Sequence, residues 1–137
     1  MKVLGLSIFL VPFVLYSGVT HAAVIHCESR DKDDFVGIKA LSYDTTKRTA
    51  SVSMGSETYQ GRISLIRAHG SVGDKVNILF PSPFSFHDSS ARMEVIAFPI
   101  TKSEYRAVGT ITVEIDGERH MDVSIPNVVM DCRDLAL

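Results

Sequence analysis

The chain has 137 residues, 22% charged and 45% hydrophobic, with a formal net charge of −2. That length suits one domain rather than several. The apolar content excludes a disordered chain, and the near-neutral charge gives none of the basic balance of a nucleic-acid binder.

Residues 1–22 read as a secretory signal peptide. Lys2 supplies the positive start, and residues 3–16 form an apolar run broken only by Gly5, Ser7 and Pro12. Thr20 and Ala22 supply the small residues before a cleavage site, placed after Ala22. The run falls short of the ~20 residues a spanning helix needs, so a membrane anchor is the weaker reading. Residues 23–137 are then a single exported β domain, periplasmic or extracellular, with no further membrane span.

Two cysteines remain, Cys27 and Cys132. An even count in an oxidising compartment predicts one disulfide between them. It would close a loop of roughly a hundred residues, worth ~4–5 kcal/mol on the chain-entropy argument.

Along the domain the hydrophobic period is mostly two. Strands are expected at 24–28, 35–43, 49–54, 58–67, 75–80, 92–99, 106–115 and 119–125, with 128–132 a candidate ninth. In 35–43 the apolar parity switches, which predicts a β-bulge near Ala40-Leu41. Residues 93–100 (MEVIAFPI) are apolar on both parities, as in a central strand covered on both sides, with Pro99 limiting it. Turn residues separate the runs, notably Gly55-Ser56, residues 70–74 and Asp116-Gly117. The pattern predicts an all-β fold: a single antiparallel β-sandwich or closed β-barrel of about eight strands.

The hairpin at Asp116-Gly117 carries a finer expectation. Ile111 and Val113 should share a face with Met121 and Val123, so paired residue numbers should sum to an even value. A two-residue turn gives odd sums. The expectation is therefore a three-residue loop, or a bulge at the turn with Gly117 at positive φ.

No catalytic or metal-binding motif appears. His26, His69, His87 and His120 form no H-x-H or H-x-x-x-H pair, and Asp31, Asp33 and Asp34 lack the glycine and distant glutamate of a calcium loop. His87-Asp88-Ser89-Ser90 holds triad residue types, but neighbours in sequence seldom form a triad. No G-x-S-x-G elbow or glycine-rich phosphate loop is present. No catalytic residue, metal or cofactor is assigned, and the chain is read as non-enzymatic. Gly55-Ser56-Glu57-Thr58-Tyr59 reverses the order of the Ser-Gly-x-x-Tyr pattern of bacterial lysozyme inhibitors, so no family is assigned.

Residues 81–90 (PSPFSFHDSS) read as a long, polar, proline-stiffened connection that carries two large rings. Phe84 and Phe86 are the candidate partner contacts, with His87 and Asp88 as polar neighbours. The expected function is a small exported binding domain whose partner is a protein or an envelope component, with no nucleic acid involved. The alternative is an inhibitor of a secreted hydrolase, of lysozyme- or protease-inhibitor type, since a preorganised loop lowers the entropy cost of binding. A polymerising subunit is disfavoured by tied termini, and an enzyme with a dispersed site has no supporting motif.

Overall fold

A computed structural model describes residues 23–31, 37–86 and 89–135, with residues 82–86 and 89 described by backbone alone. It contains eight strands: β1 (Val24–Ser29), β2 (Ile38–Asp44), β3 (Thr49–Met54), β4 (Glu57–His69), β5 (Gly73–Phe86), β6 (Ser89–Pro99), β7 (Glu104–Ile115) and β8 (Glu118–Asp134). Each pairs with the next, β8 pairs back onto β1, and every pairing is antiparallel. The sandwich is thereby excluded and the closed barrel stands.

Alternation places the core. Leu41, Val52, Val76, Ile78, Phe80, Met93, Val95 and Met130 are buried inside the barrel. The outward positions between them are polar on most strands, as with exposed Arg92, Glu94 and Arg106. Cys27 and Cys132 stand directly opposite each other in the closing β1–β8 pair and are disulfide-bonded, with Cα atoms 4.0 Å apart. The Cys132 N–H donates to Ser103 O at 2.8 Å, on the side away from β1. The cysteines therefore form a non-hydrogen-bonded pair, the closer of the two antiparallel spacings.

Several local expectations need correction. The bulge in β2 falls at Lys39, since Ile38 pairs with Met54 and Ala40 with Ser53. That extra residue shifts the inward parity from Ile38 to Leu41 and Tyr43. The described strand begins at Ile38; residues 35 and 36 lie outside the described residues. Residues 93–100 are not covered on both faces. Met93, Val95 and Ala97 point inward, while Ile96 and Phe98 are half-buried on the outer face of a single-layered wall. The ninth strand is the last part of β8. Pro126 sits within β8 because Val108 faces both Pro126 and Asn127, and a bulge there needs no donor from proline.

The 81–90 connection is also corrected. Residues 81–86 continue β5, and β6 begins at Ser89. Phe80 pairs with Met93 and Phe84 with Ala91, so three residues oppose Arg92 alone. Both prolines, Pro81 and Pro83, fall in this bulge, which explains why a proline-containing stretch still reads as strand.

At Asp116-Gly117 the turn has two residues, and Ile115 pairs directly with Glu118. Asp116 (φ 53°) and Gly117 (φ 79°) both take the left-handed conformation of a type I′ turn. Neither the three-residue loop nor a bulge at Gly117 is present. The even sums nonetheless hold farther along, where Val113 faces Met121 and Ile111 faces Val123. A bulge at His120, just past the turn, restores the register that the hydrophobic pattern demands.

Candidate binding face on the long hairpins

Strands β5 to β8 are long, and their neighbours cover only part of them. β4 pairs with β5 from His69–Gly73 as far as Arg62–Leu79. β1 pairs with β8 from Ile25–Asp134 as far as Ser29–Met130, and the Arg30 N–H reaches one residue more, to Val129 O at 3.1 Å. Beyond those points, the far halves of β5 to β8 continue as a four-stranded sheet.

Side chains directly opposite each other share a face. Met93 faces Ile111, which faces Val123; Ala91 faces Val113, which faces Met121. Met93 is 0% exposed in the core, so all these side chains belong to the inward face. Along that face burial fails towards the turns. Ile111 and Val113 are half-buried, while Ile115 is 38%, Val123 43% and Met121 51% exposed. Aliphatic side chains that should continue the core thus meet solvent.

The outer face of the same hairpin is already satisfied. Asp122 accepts from Thr112 Oγ1 at 2.9 Å, and Arg119 donates to both oxygens of its carboxylate. Arg92 stands 4.0 Å from Glu114.

By register, the sequence-predicted contacts adjoin this face. Phe84 is opposite Ala91, and Phe86 opposite Ser89, which in turn faces Ile115. The side chains of Phe84 and Phe86, and all of His87 and Asp88, lie outside the described residues. The sequence pattern showed Ile111, Val113, Met121 and Val123 as apolar. It could not show that β1 stops short of them, because strand length alone does not reveal where a barrel closes.

Two polar groupings lie elsewhere. Arg30 donates to Glu104 Oε2 (2.6 Å) and Asp131 Oδ1 (2.7 Å), binding the exit of β1 to β7 and β8. These hydrogen bonds hold the guanidinium proton more firmly than usual and lower the Asp131 carboxyl below its ordinary range. Next to it, His26 Nδ1 lies 2.6 Å from Ser42 Oγ, and His26 Nε2 lies 3.3 Å from Glu28 Oε1. Sequence reading missed this set, because the β1–β2 register brings its members together from two strands. A hydroxyl, an imidazole and a carboxylate are the parts of a nucleophile–base relay. They sit, however, on the outer wall of a sheet whose amides serve the ladder, and acyl transfer also needs donors converging on the developing oxyanion. The set therefore reads as a cross-strand polar lattice. Among the described residues, no three His, Cys, Asp or Glu are grouped to hold a metal.

No family model, curated protein or solved structure matches the chain.

Proposed function

We propose that the chain is a small exported, non-enzymatic binding domain of the cell envelope or extracellular space. Its partner docks on the inward face of the β7–β8 hairpin and the adjoining tip of β5–β6. The observation that carries this reading is the gradient from fully buried Met93 to half-exposed Met121 and Val123 along one continuous face. Contiguous aliphatic surface of this kind is costly in water and has a reason to exist in a complex. Phe84 and Phe86, with His87 and Asp88, are candidate contacts because their segment neighbours this face in register. Export is supported by the signal-like residues 1–22 and by the disulfide, which suits an oxidising compartment. The charged outer wall is the reverse of the apolar outer band that a membrane-spanning barrel needs.

The type I′ turn favours one second reading. A tip fixed by two left-handed residues is preorganised for insertion into a cleft, as an inhibitor of a secreted hydrolase would be. Inhibition assays against lysozymes and secreted proteases separate the two.

The test is a paired substitution. Met121→Ser with Val123→Ser removes apolar surface that is already half in water. It should abolish partner capture while changing stability by no more than ~0.5 kcal/mol. Phe84→Ala with Phe86→Ala should behave likewise. Undiminished capture in both variants would refute the proposed face.

A further inference from the structure

We infer that two copies of this chain associate by antiparallel pairing of their β8 edges over residues 121–125, with Val123 at the twofold axis.

The two-residue turn makes Ile115–Glu118 a hydrogen-bonded pair. Val113, Ile111 and Gly109 follow at the same parity on β7, so their partners Met121, Val123 and Ile125 also turn their backbone groups towards β7. Asp122 and Ser124 must then turn N–H and C=O to the opposite edge. Among the described residues, β1 reaches that edge only from Val129 onwards. An edge of this kind is a template for another strand. The bulge at His120 and the proline at position 126 bound the regular stretch.

The side chains accommodate a second copy as the occupant in a single register. Hydrogen-bonded pairs must join residues that face outwards, here Asp122 and Ser124. Asp122 opposite its own counterpart would set two carboxylates side by side with no donor between them, each held only by its own Arg119. Ser124 opposite its own counterpart would place Asp122 against Pro126, which has no N–H to give. One register remains, with Asp122 of each copy opposite Ser124 of the other. The hydroxyl then donates to the carboxylate twice, once on each side of the axis. On the inward face the same register sets Val123 against Val123 and Met121 against Ile125. The half-exposed Met121 and Val123 gain apolar neighbours in a closed twofold contact. This association uses Met121 and Val123, as the partner reading does, and the two are separated by readout: molecular mass reports the one and capture reports the other.

Sedimentation of the purified protein tests it. The unaltered chain should shift reversibly from monomer to dimer as concentration rises to the millimolar range. Val123→Lys and Val123→Glu should each be monomeric, since each places like charges across the axis. Mixed in equal amounts, the two variants should form a heterodimer. Circular dichroism and a thiol titration check that both variants keep the barrel and its disulfide. Three results would overturn the inference: a chain that stays monomeric throughout, leaving the edge to a foreign strand; a dimer that survives Val123→Lys; or a mixture of the variants that does not associate.

Discussion

The ring of Phe80 occupies the space where a side chain on Gly61 would begin. A Cβ built on Gly61 would lie 2.5 Å from Phe80 Cδ1 and 2.7 Å from Leu79 O. Phe80 is itself 1% exposed, in a packed interior, and the carbonyl belongs to the neighbouring strand. Neither can yield cheaply. Gly61→Ala should therefore cost ~1–3 kcal/mol by overpacking. Gly109→Ala also meets close contacts, Ile125 Cδ1 at 2.6 Å and Cβ at 3.2 Å, but these belong to one side chain, with no backbone atom like Leu79 O among them. It should cost clearly less. Urea denaturation of the two variants gives the comparison, and equal losses would mean that β4 and β5 do not approach as described.

The disulfide ties the first strand to the last across a separation of 105 residues. The β1–β8 ladder that it reinforces is short, from Ile25–Asp134 to Ser29–Met130. Cys27→Ala with Cys132→Ala should lower the unfolding free energy by ~4–5 kcal/mol on the chain-entropy argument. The measurement is chemical denaturation against the oxidised protein. A loss below ~1 kcal/mol would show that the unfolded chain is already compact, or that closure does not depend on the bond.

Alkali should destabilise the barrel through two buried phenols. Burial pushes Tyr43 and Tyr105 above the ordinary tyrosine value of 10.0, and the carboxylates of Asp74 and Asp134 act in the same direction. A folded state that holds a proton more tightly than the unfolded state loses stability as pH rises. The contribution is complete below pH 10 and declines above it. Thermal melts followed through that range should show a falling midpoint, and the part of the tyrosinate absorbance that belongs to Tyr43 and Tyr105 should rise with unfolding rather than before it. Tyr43→Phe should weaken the pH dependence. Free titration of all tyrosines near 10 in the folded protein would contradict the burial.

The strand periodicity was legible because most residues alternate between core and water, as in Val76, Ile78 and Phe80. The disulfide was legible from the signal-like start of the sequence and the even count of cysteines. Three bulges were legible in part, because a bulge shifts face without marking which residue is the extra one: the parity switch in β2 showed a bulge but placed it one or two residues late. Lys39, His120 and the Pro81–Pro83 stretch each insert residues that pattern reading assigns to a turn or to the wrong parity. At 116–117 the shared face of Val113 and Met121 does need an extra residue, and that residue is His120 rather than one in the turn, because an Asp-Gly pair at positive φ closes a two-residue hairpin without help. The candidate face was half legible. Its apolar residues stand out in sequence, but their exposure depends on where β1 and β4 stop.

In-cell photo-crosslinking tests the central claim, that the inward face of the β7–β8 hairpin is the docking surface, most directly. A photoreactive residue is placed at Met121 in one variant and at Gln60, an exposed position on β4, in another. The producing cells are then irradiated. The account predicts a discrete heterologous adduct from position 121 and none from position 60. An adduct from position 60 with none from position 121 would place the partner on the barrel wall and contradict it.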